Sequence, residues 1–129
     1  GGKDKIFLPV AGIPVVARSL LAYENCEDVS EIVVVTKESS VDEIKKLAEE
    51  YKITKLKTVV PGGKTRAESV KNGVLAVSSE ADFVAIHDGA RPLVLPEDIS
   101  SCANDAFRCG GAILAVPVTD TIKYGKNCI

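Results

Sequence analysis

A carboxylate and a guanidinium follow one apolar run of the sequence at a spacing that suits phosphate chemistry. Asp88 and Arg91 stand three residues apart, directly after the run Phe83-Val84-Ala85-Ile86. An arginine pairs phosphate oxygens bidentately, and Mg²⁺ prefers one or two carboxylates together with phosphate oxygens and water. We therefore expect both residues to bind a phosphorylated substrate and Asp88 to hold Mg²⁺, unless the two side chains only pair with each other across a turn. His87, the one histidine of the chain, is more typical of a structural hydrogen bond than of a general base.

A glycine-rich segment, residues 61–69, carries a second candidate site. Gly62 and Gly63 join a weak apolar run to a helical pattern, and glycine lets a ligand approach the main chain closely. A helix N-terminus offers free N–H groups and a partial positive charge to an anion, and Lys64 and Arg66 add formal charge. The alternative is an ordinary strand-to-helix turn with solvated cations. The segment does not match the Walker pattern G-x-x-x-x-G-K-[ST].

Two further segments carry weaker signals. Thr119-Asp120-Thr121 brings two hydroxyl groups and a carboxylate to the end of the last apolar run, but Asp-Thr sequences also form ordinary turns. Lys5, close to the beginning of the chain, is by itself typical of a solvated surface charge.

The surrounding pattern predicts the elements that would position these residues. Unbroken apolar runs, typical of strands buried on both faces, cover 32–35, 83–86 and 112–116, with a weaker strand around 56–60. Helical spacing predicts four helices between them. They begin near Pro14, at Ser40 with Glu43 and at Thr65 with Glu68 as capping boxes, and at Pro96 with an end at Gly110-Gly111.

Alternating helices and strands predict an α/β fold with a mostly parallel sheet, in a single domain over residues 1–129. Ligands of such sheets bind beyond the carboxyl ends of the strands, where the candidate residues stand. The net charge of -2 argues against a general nucleic-acid binder, and no apolar run is long enough for a membrane helix. The four scattered cysteines are expected to be reduced thiols of a cytoplasmic protein.

Taken together, four segments resemble one family in order and spacing. They are K-x-F-L-x-x-x-G-x-P from Lys5, G-G-K-T-R-A-E-S-V from Gly62, H-D-G-A-R-P from His87 and A-V-P-V-T-D-T-I-K from Ala115. The chain resembles the 2-C-methyl-D-erythritol 4-phosphate cytidylyltransferases of non-mevalonate isoprenoid synthesis over essentially its whole length. The resemblance implies a Rossmann-like nucleotidyltransferase fold with a mixed sheet and helices on both faces, and a homodimer.

The resemblance also implies a reaction and roles for the candidate residues. A substrate phosphate attacks the α-phosphorus of CTP, and pyrophosphate leaves with Mg²⁺ bound. Lys5 and Asp88 are implied as catalytic residues, and Asp88 also lies near the metal. The resemblance implies that four residues of the glycine-rich segment bind CTP. It implies that Asp88 and two other residues bind the polyol phosphate. The CTP residues are Gly62, Gly63, Arg66 and Ser69, and the two other substrate residues are Arg91 and Thr121.

The sequence departs from the family pattern in places. The glycine-rich loop A-A-G-x-G-x-R-M-G with its strand, and the arm that follows D-T-I-K, do not occur in these 129 residues. Ile6 replaces a common glutamine, and Lys64 stands where an acidic residue is frequent. We therefore expect a chain truncated at both ends, nearly inactive alone. Two alternatives are a ribitol 5-phosphate cytidylyltransferase and a non-catalytic nucleotide-binding α/β domain.

Overall fold

Short strands and helices alternate along residues 4–119, which the computed structural model describes. One 3-10 turn, Lys5–Phe7, precedes the first strand, and another, Glu38–Ser40, precedes the second helix. The elements in chain order are β1 (Pro9–Val10), β2 (Ile13–Pro14), α1 (Val15–Glu24), β3 (Ile32–Thr36), α2 (Val41–Glu50), β4 (Leu56–Pro61), α3 (Arg66–Ala76) and α4 (Pro96–Cys109). This order confirms the α/β class.

A parallel pair of strands, β3 and β4, forms the centre of the described fold. Val34 pairs with Val59 and Thr36 with Pro61, and α2 makes the crossover between the strands. Parallel strands require such a crossover because the end of the first strand and the start of the second lie at opposite edges of the sheet. Both strands therefore end at the same edge, followed at once by Lys37 and Gly62.

Helices cover both faces of this pair. Side chains that alternate along β3 point to opposite faces. On one face, Val34 and the buried Val59 pack against the main core, to which α1 and α2 contribute most residues. Its buried members are Val16, Ala17, Leu20, Ile32, Ile44, Leu47, Ala48, Ile53 and Val59. On the other face, Val35 lies against Gly73 of α3.

Helix α3 approaches the sheet closely because Gly73 has no side chain. A Cβ built at Gly73 would lie 2.8 Å from Cγ2 of Val35. Glycine in a helix interior costs about 1 kcal/mol relative to alanine, so this position trades helix propensity for close packing. Of the valines on this helix, Val70 is half-buried and Val74 is exposed.

A tight hairpin, β1–β2, precedes α1 and was not anticipated from the sequence. Ala11 and Gly12 both have positive φ, of 48° and 80°. Positive φ at both central residues is typical of a two-residue hairpin turn, and glycine adopts it without strain. Nε and Nη2 of Arg18 on α1 donate hydrogen bonds to the carbonyl oxygen of Val10, at 2.9 and 2.6 Å.

Two predicted strands are wrong for the described residues. Residues 83–86 and 112–116 have no regular secondary structure, and the side chains of Phe83 and Ile86 are 48% and 60% exposed. A β-branched run becomes a strand only when a neighbouring strand supplies backbone hydrogen bonds. Within residues 4–119 the only strand pairings are β1 with β2 and β3 with β4.

The helix ends confirm some of the expected caps. Thr65 is extended, and its Oγ1 accepts a hydrogen bond from the N–H of Glu68 at 3.1 Å, as expected of an N-cap. The reciprocal half of the expected capping box is wrong, because Oε2 of Glu68 accepts from the N–H of Lys64 and not from that of Thr65. Gly110 ends α4 with φ of 83°, a left-handed conformation typical of a helix C-terminus. The capping box expected at Ser40 is wrong, because Ser40 ends a 3-10 turn in helical conformation and its side chain caps nothing.

The longest described helix, α4, has 14 residues. None of the helices in residues 4–119 combines the length and the apolar character needed to cross a lipid bilayer.

Candidate active site

The glycine-rich loop between β4 and α3 is held by hydrogen bonds from three successive backbone N–H groups. The N–H of Gly62 donates to the carbonyl oxygen of Thr36 at 2.7 Å, at the end of the neighbouring strand. The N–H of Gly63 donates to Oγ of Ser69 at 3.0 Å, and the N–H of Lys64 donates to Oε2 of Glu68 at 2.6 Å. These donors are satisfied within the protein, as is the N–H of Glu68. An anion at this helix would therefore meet the N–H groups of Arg66 and Ala67, the first two residues of α3.

The two glycines are needed for the approach of α3 itself. A Cβ at Gly63 would overlap Cβ of Glu68 and lie 2.8 Å from its Oε2. A Cβ at Gly62 would lie 2.9 Å from Oγ of Ser69. Close packing of loop on helix, rather than the approach of a ligand, therefore requires glycine at both positions.

The hydroxyl group of Ser69 holds the loop as both an acceptor and a donor of hydrogen bonds. Its Oγ accepts from Gly63 and donates to the carbonyl oxygen of Thr65 at 2.9 Å. Asn72, one turn later, donates from Nδ2 to the carbonyl oxygen of Pro61 at 3.1 Å. The first two turns of α3 therefore fix the loop at both of its ends.

Lys5 lies on the first 3-10 turn, which an ion pair attaches to the same edge of the sheet. Nζ of Lys37, the residue after β3, lies 2.9 Å from Oδ2 of Asp4. That contact lowers the pKa of Asp4 from its ordinary value. Lys5 is exposed, and no hydrogen bond or ion pair joins its ammonium group to another residue within 4–119.

Asp88 is the centre of a guanidinium–carboxylate cluster formed with Arg66 and Arg91. Nη1 of Arg66 donates to Oδ1 of Asp88 at 2.7 Å, and Nε of Arg91 lies 3.2 Å from Oδ2. The Arg66 side chain is 72% exposed, whereas that of Asp88 is 35% exposed. The structure therefore brings together one residue predicted for CTP and two predicted for the polyol phosphate.

The cluster determines the charge state of Asp88. The hydrogen bond from Arg66 holds the pKa of the Asp88 carboxyl below its ordinary value, against the opposing effect of burial. Each oxygen of Asp88 lies next to a guanidinium group, so a cation at Asp88 would share the carboxylate with two positive charges. Residues 4–119 contain no group of three or more histidine, cysteine, aspartate or glutamate side chains that could hold a metal. The described residues therefore contain no metal site that is built from protein ligands alone.

The loop that carries Asp88 rests on α1. Oγ of Ser19, buried on that helix, lies 3.2 Å from the carbonyl oxygen of Gly89 and 3.3 Å from that of Arg91. Nε2 of His87 donates to the same Arg91 carbonyl at 3.0 Å, and its ring lies 5.3 Å from that of Tyr23. His87 makes the kind of structural hydrogen bond that the sequence indicated.

A cavity beside the Asp88 loop brings together only some of the predicted residues that the structure describes. Thr121 lies outside the described residues. A cavity of about 410 Å³ opens beside the Asp88 loop and is lined by residues that include Arg91, Val94 and Leu114. Lys5 and Gly63 do not line it.

Sequence reasoning missed several residues that build this edge. Ser19 could have been found as a polar residue within the apolar stripe of α1, and Gly73 as a glycine inside a helical pattern. No local pattern indicates the Asp4–Lys37 ion pair, because its partners are 33 residues apart.

Comparison with known proteins agrees with the resemblance of the motifs. The family model described as 2-C-methyl-D-erythritol 4-phosphate cytidylyltransferase matches residues 1–129. A protein of that name from Dehalococcoides mccartyi strain CBDB1 is 40% identical over 122 residues, which cover 95% of this chain and 53% of the relative. One from Halalkalibacterium halodurans is 41% identical over 122 residues, with the same coverage. The chain thus spans about half the length of these curated relatives.

A solved structure supports the same assignment. The crystal structure of 4-diphosphocytidyl-2C-methyl-D-erythritol synthase from Anaerococcus prevotii matches with a TM-score of 0.71 and 29% sequence identity. The match covers 78% of this chain and 43% of that one. The agreement extends to the fold, whose βαβ unit and flanking helices are those of a Rossmann-like nucleotidyltransferase. Motifs, fold and family model together show that the chain belongs to the 2-C-methyl-D-erythritol 4-phosphate cytidylyltransferase family.

Proposed function

We propose that the parent polypeptide, meaning the longest natural polypeptide in which these 129 residues occur, transfers CMP from CTP to 2-C-methyl-D-erythritol 4-phosphate. Family membership and the names of the relatives support this activity. The observation that carries it is the ion pair between Arg66 and Asp88. It joins the loop proposed for the nucleotide to the loop proposed for the second substrate.

The reaction needs alignment and charge stabilisation. An oxygen of the substrate phosphate forms a bond to the α-phosphorus of CTP, the bond from that phosphorus to the bridging oxygen of the β-phosphate breaks, and pyrophosphate leaves. Two anionic groups must approach each other, so cations that reduce their repulsion and hold them in line lower the barrier. The chain has a net charge of -2, so its cations must act locally.

In this proposal the glycine-rich loop binds the cytidine, and its hydrogen bonds fix its shape before CTP arrives. Arg91 pairs with the phosphate of methylerythritol phosphate, since its side chain is 78% exposed and it approaches Asp88 with Nε. Lys5 stabilises charge on the reacting phosphates from the exposed 3-10 turn. Thr121 is proposed to contact the polyol phosphate.

Mg²⁺ is proposed to bind together with the triphosphate of CTP, whose oxygens are ligands that Mg²⁺ prefers. We do not propose Asp88 as its ligand, because both carboxylate oxygens lie next to guanidinium groups. We further propose a cytoplasmic homodimer. Free thiols at Cys26, Cys102 and Cys109 suit a reducing compartment, and the dimer is supported by family membership alone.

An assay of pyrophosphate release from CTP by the parent polypeptide tests the activity. We expect release with 2-C-methyl-D-erythritol 4-phosphate and at least about a hundredfold lower kcat/KM with ribitol 5-phosphate, which lacks the branching methyl group and differs in chain length. A preference for ribitol 5-phosphate would transfer the assignment to that enzyme. Binding of CTP without release of pyrophosphate would favour a non-catalytic nucleotide-binding domain. The same assay on the 129-residue chain checks the expectation that it is nearly inactive alone.

A further inference from the structure

Within the guanidinium–carboxylate cluster, the contact of Arg66 with Asp88 indicates a role other than the CTP binding that the resemblance implies. Arg66 is the first residue of α3 and belongs by sequence to the glycine-rich loop, but its only hydrogen bond to a described side chain goes to Asp88. The two residues are 22 positions apart, on the two loops that separate substrates would occupy. We propose that Arg66 is a positioning residue for the polyol-phosphate loop and does not bind CTP. This inference rests on the proposed function.

The distribution of donors explains how Arg66 would act. Asp88 has two oxygens, and each lies next to a different guanidinium group. Arg66 engages Oδ1, and Arg91 approaches Oδ2 with Nε. In our proposal the two terminal nitrogens of Arg91 form the fork for a phosphate. Without Arg66, both oxygens of Asp88 become available to Arg91, and the bidentate pair that arginine and carboxylate prefer would occupy that fork.

The charge of the cluster leads to the same conclusion. Two guanidinium groups and one carboxylate give the cluster a net charge of +1, which attracts a phosphate. Loss of the Arg66 charge leaves the Asp88–Arg91 pair neutral. The attraction for a second anionic substrate would therefore fall, although Arg66 does not touch that substrate.

Kinetics of the parent polypeptide separate this role from a direct nucleotide contact. We expect Arg66→Gln to raise the KM for methylerythritol phosphate roughly tenfold, the effect of losing one charge-assisted hydrogen bond, and to change the KM for CTP less than about twofold. Arg66→Lys, which keeps the charge, should restore part of the loss. Lys71→Gln removes a positive charge from the exposed side of the same helix and should match the unsubstituted protein. A larger rise in the KM for CTP, or no change in either constant, would overturn the proposal.

A second measurement does not depend on turnover and so distinguishes failure of this inference from failure of the proposed function. Inorganic phosphate is titrated into the unsubstituted protein and the Arg66→Gln variant while the amide NMR signals of residues 88–91 are followed. We expect phosphate to shift these signals, with roughly tenfold weaker binding in the variant. Equal binding by both proteins would refute the positioning role even if the enzyme transfers CMP. If CMP transfer is absent but the difference in phosphate binding is found, the proposed function fails and the role of Arg66 is retained.

Discussion

The buried hydroxyl group of Ser19 lies 3.2 Å from the carbonyl oxygen of Gly89, which is 70 residues later in the chain. Ser19 stands on α1, among the apolar residues that form the core, whereas Gly89 belongs to the turn between Asp88 and Arg91. A polar group at a buried position is retained where it has a hydrogen-bond partner. The main core and the proposed substrate loop are therefore connected through this side chain.

Replacing Ser19 with alanine removes the donor and leaves the carbonyl oxygens of Gly89 and Arg91 without it. We expect the free energy of unfolding of the parent polypeptide to fall by about 0.5–1.5 kcal/mol, the usual net value of one hydrogen bond. Urea unfolding followed by circular dichroism measures this change. Ser101→Ala, at an exposed position of α4, is the matched control and should change the free energy by less than about 0.5 kcal/mol. Equal stability of the two variants would show that Ser19 does not hold the loop.

Replacing Gly63 with alanine places a methyl group against Glu68, the residue that Thr65 caps. The first turn of α3 must move, so we expect a loss of about 1–3 kcal/mol in the free energy of unfolding. Under the proposed function, the KM for CTP should also rise because the loop loses its shape. Urea unfolding and pyrophosphate release measure the two effects. Gly111→Ala, where an added Cβ meets nothing within 4 Å, should leave both unchanged, and a Gly63→Ala variant that behaves in the same way would contradict the packing argument.

Features determined by neighbouring residues could be predicted from the sequence. The start of α3 depends on Thr65 and Glu68, which are three residues apart, and the end of α4 depends on the backbone freedom of Gly110. Strands are different because their stability depends on partners elsewhere in the chain. The run 32–35 is a strand because β4 pairs with it, whereas the equally apolar run 83–86 has no partner strand within residues 4–119.

The same distinction applies to the candidate site. Asp88 and Arg91 could be paired from the sequence because they share one turn. Arg66 could be identified as a cation of the glycine-rich loop, but its contact with Asp88 depends on how two separate loops fold back to one edge of the sheet. Residue types and short spacings therefore predict pairs of side chains within one loop, whereas the tertiary fold determines the contacts between side chains of separate loops.

Gly73 provides a test in which two known effects oppose each other. Alanine would raise the helix propensity of α3 by about 1 kcal/mol, but its Cβ would lie 2.8 Å from Cγ2 of Val35. Overpacking costs about 1–3 kcal/mol, so we expect Gly73→Ala to be less stable by up to about 2 kcal/mol in urea unfolding. Val35→Ala removes the methyl group in question, and in the double variant the cost of Gly73→Ala should disappear. A Gly73→Ala variant that is more stable than the unsubstituted protein would contradict the close contact of α3 and β3.

Glu24, at the end of α1, should make stability depend on pH in the acid range. Burial raises the pKa of its carboxyl group, but hydrogen bonds from the hydroxyl group of Thr54 and the N–H of Lys55 lower that pKa by more. The net pKa is therefore below its ordinary value of 4.5. A carboxyl group whose pKa is lower in the folded state stabilises the fold at pH values above its unfolded-state pKa. This contribution is lost as the pH falls through the folded-state pKa. The lowered pKa values of Asp4 and Asp88 act in the same direction.

We therefore expect the free energy of unfolding to decrease from about pH 5 to about pH 3, and Glu24→Gln to make this decrease smaller. Urea unfolding at a series of pH values measures both slopes. Thr54→Val keeps the carboxyl group but removes one of its hydrogen bonds, so its slope should lie between those of the other two proteins. If Glu24→Gln retained the full slope of the unsubstituted protein, the acid sensitivity would have to come from carboxyl groups other than Glu24, because glutamine does not titrate in this range.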